Sequence, residues 1–401
     1  MAQPLAEIAT AKLTTVEKLQ KLIQAPSVTP DDAGTITWLS AQLCQHGFEI
    51  LLQEEVKGVT NFIAKRYFSP GPSLAFAGHV DVVPANSKGW QVAPFSGDIV
   101  DGCIIGRGAA DMKGGIAAML SAAEHLCAQS NVQGTFYWLL TSDEEGEAEY
   151  GSKRIAQFLK EHHIVLDACL VGEPTSDKVV GDTIKNGRRG ALSGRVQING
   201  KAGHVAYPEN TINAAHIAGE IVSALTRLVW WKDEPGSKTH LQVTGITVPN
   251  IVDNLVPSEC EVTFNIRYSH GYKSDMVQAL VESLLEEWKH HLKFVWERPC
   301  EPYYTGTKEH NCFLSLTERA IYLVTGRYPS LSTSGGTSDG RFFASPQTQV
   351  IECGVRNHSI HQVNEHVSIA DLTQIEEIYK AVLKDFFIDR ESFLKNLDAF
   401  T

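Results

Sequence analysis

Five residues of metal-binding type stand at the ends of short apolar stretches. His79 follows LAFAG (74–78), Asp111 closes GRGAAD (106–111), and Glu145 lies just beyond TFYWLL (135–140). Glu173 follows DACLVG (167–172), and His361 lies past QVIECG (349–354). A lone His-x-Asp or an Asp-Glu-Glu-Gly run is ordinarily a solvated turn. The conjunction carries the weight, because in an open α/β sheet ligands collect beyond the carboxyl ends of the strands. Carboxylates brought together there would repel one another and raise their own pKa values unless a cation joined them. Imidazole and carboxylate are good zinc ligands, and one carboxylate can bridge two ions. This inventory predicts two Zn2+ per subunit, with Co2+ possible in one position. His79 and Glu173 are assigned to one metal, Glu145 and His361 to the other, and Asp111 to the bridge. Asp81, two residues from His79, is placed to hydrogen-bond the ring nitrogen that does not bind metal. Glu144, beside Glu145 but free of metal duty, is the expected general base toward a water shared by the two ions.

The stretches that carry these residues are too short and too uniformly apolar to be half-exposed. Leu74–Gly78, Thr135–Leu140 and Ile164–Val171 read as buried strands, and residues 4–24, Met112 to Gln129, Gly151–Glu161 and Leu372–Phe387 as helices. Buried strands alternating with amphipathic helices predict a mostly parallel sheet in an α/β domain. Near residue 190 the pattern changes. Leu192–Ile198, Leu241–Val248 and Cys260–Tyr268 alternate polar with apolar residues, and helices are expected at Asn210–Trp231 and Ser274–His291. The predicted fold class is therefore α/β: a catalytic domain over 1–189 and 302–401, interrupted by an α+β sandwich over 190–301. The closing residues, RESFLKNLDAFT, are expected to form a tail or short helix.

Bulk properties exclude several roles. The 401 residues carry a net charge of −12, with no basic stripe to engage phosphates, which argues against nucleic acid. No run of about 18 apolar residues predicts a transmembrane helix. The N-terminus lacks the basic and apolar regions of a signal peptide. Eight cysteines without a C-x-x-C pair are expected to be buried free thiols in a reducing compartment, so the cytoplasm is the expected location. No phosphate loop supports a phosphoesterase.

GHVDVVP, GRGAADMKGG, TSDEEGE and VGEPT, in this order, resemble the dinuclear-zinc family of aminoacylases, carboxypeptidases and amino-acid deacylases. The likeness runs over residues 12–388. IKNGRRG (184–190), GHVAYP (203–208), NLVP (254–257), FNIRYS (264–269), SGGTSDGRF (334–342) and SIHQVNE (359–365) are most similar to the branch that hydrolyses N-succinyl-diaminopimelate. The resemblance implies that the inserted unit is a dimerisation domain and that the protein is a homodimer. In that dimer His204 would reach the partner's active site and polarise the amide carbonyl. It further implies a cis peptide after Asp111 and a small-molecule N-acyl diamino acid as substrate. Arg188, Tyr207, Asn254, Arg267, Thr337 and Ser338 are the expected substrate contacts, since guanidinium forks suit planar carboxylates. Departures from the family's pattern, such as Ala191 for Ser and Val80 for Thr, touch no expected ligand. The alternatives are another amide hydrolase of the family, of acetylornithine-deacetylase or dipeptidase type, and a non-catalytic metal-binding scaffold.

Overall fold

Ligands at strand ends require strands, and the computed structural model, which describes residues 13–249, 251–306 and 312–390, supplies them. The chain forms two compact units. One runs up to Asn186 and resumes at Thr305–Leu331 and from Phe342; the other comprises Gly187–Tyr304 and Ser332–Arg341. The stretch from Ser332 to Arg341 was expected with the catalytic domain. It belongs instead with the inserted unit, where the Arg188 guanidinium donates to the carbonyls of Ser334 (3.3 Å) and Gly336 (3.4 Å).

The first unit is built on a mixed eight-stranded sheet. Its strand order is Glu49–Val56, Val59–Ser69, Gly134–Thr141, Ser73–His79, Ala168–Val171, Gln349–Glu352, Thr183–Lys185, Ser330–Ser332. The strands Gly134–Thr141, Ser73–His79, Ala168–Val171 and Gln349–Glu352 pair in parallel in the middle. Helices Thr15–Ile23, Gly114–Cys127, Cys312–Thr325 and Ile369–Phe387 contribute Leu19, Leu120, Phe313 and Tyr379 to the same apolar core as Phe76, Trp138, Leu170 and Ile351. Phe76 meets Trp138 edge-on at 5.0 Å, a geometry worth about 0.5–1.5 kcal/mol beyond area burial. The Tyr379 hydroxyl donates to the Cys353 carbonyl at 2.6 Å, which fixes the chain as it leaves the Gln349–Glu352 strand. Among the described residues no helix is long and apolar enough to cross a membrane.

Several elements differ from the sequence-based expectation. The strands Glu49–Val56 and Val59–Ser69 form an antiparallel hairpin that extends the sheet. Its turn, Lys57–Gly58, has both residues at positive φ (53° and 85°), the geometry of a two-residue hairpin loop, but Lys is a weak signal for it. The helix expected from Met112 begins at Gly114, because Asp111 (φ −120°, ψ 98°) and Met112 (φ −124°, ψ 29°) are not helical. The N-terminal helix covers Thr15–Ile23, closed by a capping box between Thr14 and Glu17; residues 4–12 lie outside the described residues, as do 391–401. Three of the eight free cysteines, Cys169, Cys260 and Cys353, are buried; Cys44 is exposed and the others are partly so.

The inserted unit is an antiparallel sheet in the order His240–Thr247, Glu259–Tyr268, Gly190–Asn199, Leu292–Cys300. Alternation puts Val262, Phe264 and Ile266 on one face, against Ala218 and Ile221 of helix Ala214–Thr226 and Val277 and Val281 of helix Ser274–Leu284. The first of these helices is shorter than the expected 210–231, since Asn213 caps it by accepting from the amides of Ala215 and His216.

Candidate metal centre

Every expected ligand belongs to the first unit, and all but Asp111 sit at or past the carboxyl end of a parallel strand. His79 is the last residue of Ser73–His79, and Glu144 and Glu145 follow Gly134–Thr141. Glu173 follows Ala168–Val171, and His361 lies on the loop after Gln349–Glu352. Asp111 occupies the non-helical turn before helix Gly114–Cys127, and its peptide bond to Met112 is cis.

These side chains converge. His79 Nε2 lies 3.3 Å from Asp111 Oδ1 and 3.5 Å from Glu173 Oε1. His361 Nε2 lies 3.4 Å from Asp111 Oδ2 and 2.9 Å from Glu145 Oε1. The two oxygens of Asp111 thus address different imidazoles. Among the described residues three donor groups emerge, His79–Asp111–Glu173, Asp111–Glu145–His361 and His79–Glu144–Glu145, each with its donor atoms within 4.8 Å of one another. His79 is almost wholly buried, whereas the His361 side chain is 47% exposed, so the cluster opens to solvent on the His361 side.

The donors suit divalent cations. His79 Nε2 and Asp111 Oδ1 are buried without a hydrogen-bond partner, an arrangement costly for polar atoms unless something else satisfies them. Burial alone would push the His79 imidazole down, but the Asp111, Asp81 and Glu173 carboxylates around it together hold it well above its ordinary value. Hydrogen bonds with Asp111 and Glu145 lift His361 to about 10, against burial. Burial raises Glu173 to about 7, the Asp111 charge adding to the effect and His79 opposing it. Asp111 is pulled below the carboxylate range because its bonds with His361 and His79 outweigh burial. The cluster thus retains protons where a metal ion would otherwise supply the positive charge.

Asp81 is the partner of the non-ligating His79 ring nitrogen, through its main chain. Nδ1 donates to the Asp81 main-chain carbonyl at 2.9 Å, while the Asp81 carboxylate stands 3.6 Å away. The Asp81 carboxylate instead accepts from the backbone amides of Glu144 (3.4 Å) and Glu145 (3.1 Å). Either way the hydrogen rests on Nδ1 and leaves Nε2 as the donor atom.

Asp143, which received no role from the sequence, is buried and accepts from the amides of Tyr150 (2.9 Å) and Gly151 (3.1 Å). It closes the loop that presents Glu144 and Glu145. Glu365 and Arg107 were likewise unassigned, although both lie inside quoted motifs. Their burial was the missing signal, and it depends on tertiary packing.

The expected substrate contacts and His204 lie in the inserted unit. Gly203–His204 pairs with Leu255–Val256, which brings His204, Tyr207 and Asn254 onto one exposed ribbon. His204 Nδ1 accepts from the Ala206 amide at 3.1 Å, so Nε2 is the ring nitrogen left to donate. Arg188 is buried against the Ser334–Gly336 carbonyls, close in sequence to half-buried Thr337 and buried Ser338, whose Oγ accepts from the Gly340 amide. Arg267, half-buried, donates from Nε to Asn265 Oδ1 at 3.1 Å.

A buried acid-and-imidazole cluster at the ends of parallel strands defines a metal-dependent hydrolase, and a family model agrees. Residues 75–385 match the peptidase family M20/M25/M40, and the chain belongs to that family. It is 45% identical over 376 residues to succinyl-diaminopimelate desuccinylase 2 of Shewanella loihica, covering 92% of this chain and 98% of that one. It is 46% identical over 372 residues to succinyl-diaminopimelate desuccinylase 1 of Alteromonas mediterranea, covering 90% and 94%. Among solved structures it is similar in fold to the YXEP protein of Bacillus subtilis, described as a dinuclear metal binding peptidase, with a TM-score of 0.68 at 17% identity over 92% of this chain and 96% of that one.

Proposed function

We propose that this chain hydrolyses N-succinyl-LL-2,6-diaminopimelate to succinate and LL-2,6-diaminopimelate, as the names of its relatives suggest. The observation that carries the chemistry is Asp111, whose two carboxylate oxygens face His79 and His361, with Glu173 and Glu145 completing two donor sets. His79, Asp111 and Glu173 would hold one divalent cation, and Asp111, Glu145 and His361 a second. Zinc fits both sets, and cobalt could replace it in one. When bound, the cations supply Lewis acidity to the amide carbonyl and to the attacking water.

The chain's own residues do the rest. Glu144, on the same turn as Glu145, takes the proton of the attacking water and returns it to the departing amine. Asp81 holds that turn and, through its carbonyl, the His79 ring. His204 of the partner subunit in a homodimer would donate to the developing oxyanion, its free Nε2 suiting the task. Arg188, Arg267, Asn254, Tyr207, Thr337 and Ser338 would bind the carboxylates and amine of the substrate. The enzyme would work in the cytoplasm, where such a biosynthetic precursor is made.

The test is a panel of substrates offered to metal-loaded protein: N-succinyl-diaminopimelate, N-acetylornithine and simple dipeptides, with metal content measured alongside. Preference for the succinylated diamino acid is expected. Preference for acetylornithine or dipeptides would reassign the substrate while keeping the hydrolase, and metal binding without turnover on any would leave a scaffold.

A further inference from the structure

Sheet hydrogen bonds fix only part of the donor cluster. His79 and Glu173 are carried by parallel strands, or lie within two residues of one. Asp111 and His361 lie on irregular backbone, and His361 is held at φ +60°, an uncommon conformation for a residue with a Cβ. Something other than the sheet must hold these two in register.

We propose that Arg107 and Glu365 are a positioning pair that locks the Asp111 turn to the His361 loop and thereby sets affinity for the second cation. This rests on the two-cation function proposed above. Glu365 is completely buried. Its Oε1 accepts from the amides of Ala110 (3.0 Å) and Asp111 (3.1 Å), so one carboxylate oxygen fixes the backbone of the shared ligand. Its Oε2 pairs with Arg107 Nη1 at 2.6 Å. The same guanidinium donates to the carbonyls of Gln362 and His361, each at 3.3 Å. One ion pair thus grips both loops, with a charge-assisted bond at its centre.

Two further contacts brace it. The Trp90 ring lies 5.5 Å from the Arg107 guanidinium, and the Gln91 amide donates to Asn364 Oδ1 at 2.7 Å. Neither residue of the pair is among the expected ligands, and the pair touches the Glu173 segment nowhere in these contacts. Its loss should therefore act unequally. His361 would be free to leave its positive-φ conformation and draw Nε2 away from Asp111 and Glu145. The His79–Glu173 side would keep its strand-borne geometry and be reached only through the shared Asp111, so it should weaken less.

The test is a calorimetric zinc titration of metal-free protein, comparing wild type with Glu365→Gln and Arg107→Lys, with circular dichroism to check folding. Glu365→Gln keeps an acceptor for the two amides but loses the charge. Arg107→Lys keeps the charge but cannot serve three acceptors in a plane. Wild type is expected to show two binding steps. In both variants one step should fall much less than the other, which should lose roughly 10- to 100-fold, the usual effect of removing a group that supports a ligand. Equal weakening of both steps, or two unchanged steps, overturns the inference while sparing the two-cation function. A single step in wild type overturns the two-cation site and the inference with it. Should Glu365→Gln fail to fold, Arg107→Lys decides by the same criterion.

Discussion

Asp81 Oδ2 accepts the backbone amide of Glu145 at 3.1 Å, which ties the end of one parallel strand to the loop beyond the next. The same carboxylate reaches the Glu144 amide, and the Asp81 carbonyl orients the His79 ring. A fully buried carboxylate thus serves an expected ligand on each side and the expected base between them. Asp81→Ala should lower metal affinity or kcat by roughly 10- to 100-fold. Metal titration and steady-state kinetics on the purified variant measure both. Wild-type values for both would remove Asp81 from the machinery.

Glu144 and Glu145 are neighbours in sequence with different surroundings. Glu145 Oε1 meets His361 Nε2 at 2.9 Å, while the Glu144 carboxylate joins a group with His79 and Glu145. Glu144→Gln should retain the full metal content and lose roughly 10²–10⁴ in kcat, the range for removing a general base. Glu145→Gln should instead lose metal. Metal analysis after dialysis separates the two, and metal loss from Glu144→Gln would make it a ligand.

Protons held by the cluster must leave when a cation enters. His361 titrates at about 10 and His79 well above its ordinary value, so both rings carry protons at pH 7.5 in the metal-free protein. Glu173, at about 7, adds a fraction, and Asp111, depressed, adds none. Zinc loading at pH 7.5 should therefore release roughly two protons per subunit. Zinc affinity should go on rising with pH from 7 to 9, because the protons that compete with the metal are still being lost there. Ordinary imidazoles, titrating near about 6.5, would give a flat affinity over that window. Calorimetry in buffers of different ionisation enthalpy counts the protons, and a flat profile would show that the imidazoles are unperturbed.

What was legible in the sequence depended on how local its cause was. The strand ends carrying His79, Glu145 and Glu173 follow from short apolar runs, and the structure brings those residues together with Asp111 and His361. The start of helix Gly114–Cys127 was misplaced because the Asp111–Met112 backbone is dictated by its surroundings, including Glu365, 254 residues from Asp111 in sequence. Asp81 meets the His79 ring as expected, but through its main-chain carbonyl, while its carboxylate accepts from the Glu144 and Glu145 amides, contacts that no local pattern encodes. The Lys57–Gly58 hairpin carries only a weak sequence signal, because its turn lacks the Asn or Asp that usually marks one.

Gly354 is glycine for want of space. A Cβ there would lie 2.2 Å from the Glu173 carbonyl oxygen and 2.8 Å from that of Gly172, both backbone atoms that cannot rotate aside. Gly354→Ala must push the Glu173 segment from the strand end that presents it. Overpacking of this kind typically costs about 1–3 kcal/mol, so a lower Tm is expected together with weaker zinc binding. Thermal melts with and without zinc measure both. An unchanged Tm with normal zinc uptake would mean that the 172–175 segment yields freely.

The proposal that His204 serves the partner's site makes a prediction that no single-chain role shares. His204 is exposed on its ribbon, with Nδ1 occupied by the Ala206 amide. His204→Ala alone should retain zinc and lose most of kcat, and Glu144→Gln alone should do the same. In a symmetric dimer each site would then take Glu144 from one subunit and His204 from the other. When the two inactive variants are mixed and their subunits exchanged, half of the hybrid sites combine an intact Glu144 with an intact His204. The other half lack both groups. Random assortment would restore about a quarter of wild-type activity. Recovery on mixing, absent from either variant alone, requires a site shared between subunits. No recovery despite demonstrated subunit exchange would place His204 in its own subunit's site or outside the reaction.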